Sequence, residues 1–151
     1  MNSKLETGRA GEEYVAKCLR EAGFDVLNLG RTTPDIDLVI LREGSGMIKV
    51  QVKTWTKAVS DSRIASPKQL KAVDVYVFVR ADDFSNLRAY VYQADELMTA
   101  RRISETPADY PFTKDPGIKN PNNIGVWARK NWMFCRPEKL NAWNSILKSH
   151  Q

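Results

Sequence analysis

Apolar residues recur along residues 4–22 at helical spacing, with Val15, Cys18, Leu19 and Ala22 on one side. Ser3 is placed to cap this helix and Gly23 to stop it. The period then changes. Residues 24–29 read as a short strand, 30–34 as a loop, 35–41 as a strand rich in β-branched side chains, and 42–46 as a turn. Residues 47–54 alternate cleanly, with Ile48, Val50 and Val52 on one face and Lys49, Gln51 and Lys53 on the other, which predicts a strand with one polar side. Residues 54–66 show no apolar period and read as a polar loop. A short helix over 67–73, an apolar strand over 73–80, a turn over 82–86 and a strand over 87–93 follow. Residues 94–102 suit a helix, with Asp95 and Glu96 near its start and two arginines at its end, as the helix dipole favours. Pro107, Pro111, Pro116, Gly117, Pro121 and Gly125 interrupt residues 103–125 and predict a long loop, while 126–134 has no decisive period. Pro137 is placed to open a final helix with Leu140, Trp143 and Leu147 on one stripe.

The order α-β-β-β-α-β-β-α predicts an α/β fold, bordering on α+β, with a central mixed sheet flanked by helices. A chain of 151 residues suits one domain, 1–151, with its core over 4–102 and an irregular, basic and aromatic extension over 103–151. An apolar fraction of 42% and a charged fraction of 27% are ordinary for a soluble protein. No apolar run approaches the ~18 residues of a membrane span, and the first residues lack the apolar stretch of a signal peptide, so the expected location is the cytoplasm, away from membranes. Cys18 and Cys135 are too few for a disulfide scaffold or zinc site. The net charge of +5 is uneven: after Pro116 there are six basic residues (Lys119, Arg129, Lys130, Arg136, Lys139, Lys148) against the single acid Glu138, which suits a polyanionic partner. Trp127 and Trp132 flank Arg129 and Lys130, a combination able to stack on a base or line a phosphate groove. Lys68 and Gln69 follow the polar strand and could face the nucleic-acid backbone, a capped helix start being the plainer account.

The concentration of polar groups near the expected core points to chemistry. With a three-residue loop at 43–45 the hairpin pairs residues of constant sum, placing Asp37 opposite Gln51 and Asp35 opposite Lys53, all on one side; a two-residue turn would break that parity. Glu12 shares a helix face with Val15 and Leu19, so its carboxylate is directed toward the sheet. Carboxylates brought together inward are costly without a cation, and Mg²⁺ is a hard ion that accepts carboxylate and amide oxygens. The only histidine, His150, is penultimate, which disfavours histidine nucleases and serine or cysteine triads. No Gly-rich phosphate loop or dinucleotide fingerprint occurs.

These residues carry a resemblance. Gly8-Arg9-Ala10-Gly11-Glu12 with Leu19 and Gly23-Phe24, then Thr33-Pro34-Asp35-Ile36-Asp37-Leu38-Val39-Ile40, then Val50-Gln51-Val52-Lys53-Thr54, are similar to the three motifs of the PD-(D/E)XK nucleases. The first resembles the archaeal Holliday junction resolvases in particular. The third, with glutamine in place of an acid, resembles the variant in a small group I intron homing endonuclease. The resemblance implies a restriction endonuclease-like fold and a Mg²⁺-dependent endonuclease acting on DNA, with Mn²⁺ able to substitute. It assigns Asp37, the Gln51 side-chain oxygen, the Val52 carbonyl and Glu12 to the metal, with Asp35 as the alternative acid, and Lys53 to the attacking water and transition state. A homodimer or higher homo-oligomer is implied by analogy. A DNA-binding module that no longer cuts, and a protein-interaction domain on the same fold, are the rival readings.

Overall fold

A computed structural model describes residues 4–30, 32–44, 46–83, 85–103, 112–113 and 126–149. Helix α1, Lys4–Glu21, buries Val15, Ala16 and Leu19. It ends in a Schellman cap: Phe24 N–H donates to the Leu19 carbonyl and Gly23 N–H to that of Arg20, with Gly23 at φ 97°, a backbone state that glycine adopts without a Cβ penalty.

Strands β1 (Asp25–Asn28), β2 (Leu38–Leu41) and β3 (Met47–Trp55) form an antiparallel meander. Strand β4, Ser60–Ala65, and helix α2, Pro67–Ala72, then lead to β5, Val75–Asp83, which runs parallel to β3. Strand β6, Asn86–Gln93, returns beside β5 and is followed by helix α3, Ala94–Ile103. The resulting five-stranded mixed sheet has the order β1-β2-β3-β5-β6. A second sheet pairs β4 with β8 (Val126–Lys130) and β8 with β7 (Phe112–Thr113). This α/β arrangement, a mixed sheet with flanking helices, agrees with the order expected from the periodicity.

The alternation of the strands divides the core in two. Leu38, Ile40, Ile48, Val50 and Val52 face α1, where Trp143 and Ile146 join them. The opposite face carries Tyr76, Phe78, Tyr90 and Tyr92 against Leu70 of α2, Leu97 of α3 and Phe134. Strand β5 is buried on both faces, which explains its unbroken apolar reading. Each fully buried Leu or Phe here is worth about 1.5–3 kcal/mol of transfer free energy.

Four local expectations change. The stretch read as a polar loop contains β4, a strand with little apolar alternation that forms by pairing with β8. The strand expected from residue 35 starts at Leu38. The undecided 126–134 segment is a strand followed by a 3-10 turn, Asn131–Phe134. Pro137 opens only a 3-10 turn, Pro137–Lys139; Asn141 then adopts a left-handed φ of 52°, and the last helix, α4, runs Asn144–Ser149. Leu140 is consequently 40% exposed, and Ile146 joins Trp143 in the core; the Leu147 side chain lies outside the described residues. Among the described residues no helix is long and apolar enough to cross a membrane.

Candidate active site

The hairpin register places Leu38 opposite Val50 and Leu41 opposite Met47, and Arg42 N–H donates to the Gly46 carbonyl, which is the pairing of constant sum expected for a loop at 43–45. That pairing does not continue to Asp37. The Asp37 N–H donates to the carbonyl of Val50, already the partner of Leu38, so two residues of one strand share one of the other, as at a β-bulge. Asp35 lies in the preceding turn at φ 65°, a conformation that aspartate tolerates better than most side chains. The expected row of four groups pointing one way is therefore replaced by a kink that re-aims Asp37.

The re-aimed carboxylate is the hub of the site. Its Oδ2 accepts the Val52 N–H at 2.8 Å, filling the position a strand carbonyl would take had β2 continued. Burial pushes the Asp37 carboxyl above its ordinary range; hydrogen bonds from the Val52 N–H and from the Glu12 carboxyl oppose that shift, Asp35 adds to it by repulsion, and the Lys53 charge counters it. Glu12, Asp35 and Lys53 are thus each within electrostatic reach of Asp37.

Glu12 arrives by an unexpected route. Helix α1 packs on the apolar face of the sheet, opposite the side carrying Gln51 and Lys53, so its acid does not meet the polar face of β3 directly. It reaches Asp37 where β2 has ended. Close approach of α1 is set by Gly11: a Cβ there would lie 1.8 Å from Thr54 Oγ1. Glu12 also lines a cavity of about 180 Å³ with Leu5, Gly8, Arg9 and Gly30.

Gln51 is buried, and its Oε1 has no hydrogen-bond partner among the described residues. Thr54 Oγ1 and Trp55 Nε1 share that condition, so unsatisfied polar atoms concentrate in the end of β3 that outruns β2. Buried polar atoms without partners are few in native proteins, and an acceptor of this kind suits a cation. Val52 directs its N–H toward Asp37, and since a strand residue presents both backbone groups on one side, its carbonyl faces the same edge. No group of three or more His, Cys, Asp or Glu side chains suited to a metal occurs among the described residues. The groups that could hold a hard divalent ion are accordingly mixed: the Glu12 and Asp37 carboxylates with the Gln51 amide and Val52 carbonyl oxygens.

Lys53 is exposed and holds its ammonium 5.4 Å from the centre of the Trp55 ring, two residues along the same face. Tyr76, opposite Gln51 in the parallel pairing, is fully buried; its hydroxyl is held far above the ordinary tyrosine range, first by burial and then by the Asp37 charge. Trp55 as a neighbour of Lys53 was legible from the alternation, whereas Tyr76 depends on the β3–β5 pairing, which no local pattern reveals. Gln69 has its amide oxygen committed to the capping box of α2, accepting Ser66 N–H at 2.9 Å, so it acts first as a helix cap. Lys68 is exposed beside it. Trp132 is half-buried against Phe78. Trp127, Arg129 and Lys130 lie on β8, and their side chains are outside the described residues.

The sequence profile of the Mrr_cat family, described as restriction endonuclease, matches residues 6–104. No curated protein matches the chain. Among solved structures, the bacterial homing endonuclease I-Ssp6803I is similar at 21% identity with a TM-score of 0.58, over 98% of this chain and 95% of that one. That likeness concerns the fold, and it includes the C-terminal segment beyond the profile match. Glu12, Asp37, Gln51 and Lys53 all fall inside the profile match, and the chain belongs to the Mrr_cat restriction endonuclease family, with the PD-(D/E)XK nuclease fold.

Proposed function

We propose that this protein is a Mg²⁺-dependent endonuclease that hydrolyses phosphodiester bonds in DNA, with Mn²⁺ able to replace Mg²⁺. The observation that carries this reading is the buried Gln51 Oε1, without a hydrogen-bond partner among the described residues, on the strand that bonds Asp37, itself in contact with Glu12. Asp37, Gln51, the Val52 carbonyl and Glu12 would hold the ion. When bound, it supplies an acidified water and neutralises charge developing on the phosphate. The protein's own groups do the rest. The Val52 N–H fixes the Asp37 carboxylate, and Glu12 is hydrogen-bonded to it. Lys53, its ammonium steadied over Trp55, orients the attacking water and stabilises the added negative charge. Asp35 remains the alternative acid. Lys68, Gln69, Trp127, Arg129, Lys130 and Trp132 are the proposed DNA contacts, and cutting of both strands calls for a homodimer or higher homo-oligomer.

Supercoiled plasmid and a four-way junction incubated with Mg²⁺, Mn²⁺ or EDTA test the proposal. Nicking is expected with either metal and not with EDTA, and Lys53→Ala abolishes it while DNA binding persists. Nicking by Lys53→Ala at the wild-type rate, or none by the wild type with either metal, overturns it. The neutral Gln51 favours one second reading, a DNA-binding module that does not cut, for which wild type and Lys53→Ala bind alike and neither nicks.

A further inference from the structure

Strands β3 and β5 are parallel, and their pairing ends with Trp55 opposite Arg80. The region outside the carboxyl ends of parallel strands is where open α/β sheets receive ligands. A connected series of cations and rings occupies it. Lys53 lies over Trp55; Trp55 stacks on Phe78 with ring centres 6.4 Å apart; Trp132 meets Phe78 edge-on at 6.3 Å; the Arg80 guanidinium sits 4.2 Å from the Trp132 ring centre. Phe78 is fully buried, whereas Trp55 and Trp132 are half-buried, so the two indoles form the outer layer of the series.

The rim is built rigidly. Buried Asn131, next to Trp132, accepts the Val59 N–H at 2.8 Å and donates to the Lys57 carbonyl at 2.8 Å, tying the segment that follows Trp55 to the turn carrying Trp132. Among the described residues charge is left over. Asp82 Oδ2 accepts from both Arg80 Nε at 2.8 Å and Arg88 Nη2 at 2.9 Å, so two cations share one anion. Their side chains remain 25% and 39% exposed.

We propose that this rim is the surface on which the substrate strand lies to one side of the cut, with Arg80 and Arg88 meeting phosphates and Trp55 and Trp132 meeting base or sugar faces. The inference rests on the nuclease reading and adds Trp55, Arg80 and Arg88 to the contacts named there. Nucleic acid is the partner whose chemistry matches: phosphates call for arginine forks, and every base has a face able to stack on an aromatic ring. Asp82 is the restraint on that surface, holding back part of its positive charge.

Asp82 makes the test specific. Affinity of the full-length protein for a fluorescent duplex is measured in EDTA by anisotropy over a series of salt concentrations, with folding checked by circular dichroism. Arg80→Gln is expected to weaken binding by about 10-fold and to lower the salt slope by about one. Asp82→Asn, which removes the negative charge that both arginines share, is expected to tighten binding several-fold and steepen the slope, a gain that a merely structural ion pair would not produce. Wild-type affinity and slope in folded Arg80→Gln, or in Asp82→Asn should the former not fold, overturns the inference. If these variants are silent while the wild type nicks DNA and Lys53→Ala does not, the rim alone falls; if the wild type neither binds nor nicks DNA, the nuclease reading falls with it.

Discussion

Gly11→Ala tests how the site is assembled, because the new methyl would stand 1.8 Å from Thr54 Oγ1 and 3.0 Å from Thr54 Cβ. Either Thr54 shifts or α1 rides away from β3, and Glu12 moves with it. Overpacking of this kind costs about 1–3 kcal/mol, while alanine gains about 1 kcal/mol over glycine inside a helix. The net loss is therefore about 0–2 kcal/mol, small for a folded domain. Activity should suffer more, since a displacement of order 1 Å at a catalytic group can cost about 10²-fold in rate. Thr54→Ala supplies the control: it removes Oγ1, itself buried without a partner among the described residues, and leaves only the 3.0 Å contact to absorb. In that background Gly11→Ala should be neutral or stabilising, and nicking should recover. Urea denaturation and single-turnover plasmid nicking read the two effects. A Gly11→Ala protein that cuts at the wild-type rate, or loses the same activity whether or not Thr54 is alanine, refutes the idea that this contact positions Glu12.

Three other changes probe separate links. Asp37→Asn should abolish nicking yet stabilise the metal-free protein at neutral pH. Burial raises the Asp37 carboxyl above its unfolded value of about 3.9, so between the two values the native state binds the extra proton and stability falls as pH rises. The difference in urea midpoint between wild type and Asp37→Asn should thus be smallest near pH 4 and grow as pH rises; a constant difference would contradict the assignment of the shift to Asp37. Gln51→Glu restores the acid that the family pattern usually places here and should lower the Mg²⁺ concentration giving half-maximal nicking, an expectation that fails if calorimetry finds Mn²⁺ bound no more tightly. Ser66→Ala removes one arm of the α2 capping box and should cost about 1 kcal/mol in urea denaturation without altering the metal requirement.

Much of the site was legible because its parts are local. The polar side of β3 follows from strict alternation, and the helix carrying Glu12 follows from spacing and the Gly23 stop. The hairpin register was legible too, since glycine at position 44 suits the φ of 71° found in the turn. What escaped depends on distant partners. Strand β4 gains its pairing from β8, more than 60 residues later, and Tyr76 comes beside Gln51 only through a parallel pairing. The final helix failed for a local reason, the left-handed Asn141, which a proline-led pattern outweighed. The bulge at Asp37 left no mark in the alternation.

That bulge resolves a geometric difficulty. Within a sheet, side chains on opposite faces are separated by the backbone layer, so an acid from α1 on one face could not share an ion with Gln51 on the other. The separation disappears where a strand stops. Strand β3 runs on to Trp55 after its pairing with β2 has ended at Val50, and the Val52 N–H is capped by a side chain instead of a strand. The bulge turns Asp37 into that gap, and Gly11 lets α1 come close enough to bring Glu12 to it. An inward acid and a kinked acid therefore meet beside the strand end that carries Gln51, whose side-chain oxygen has no hydrogen-bond partner among the described residues.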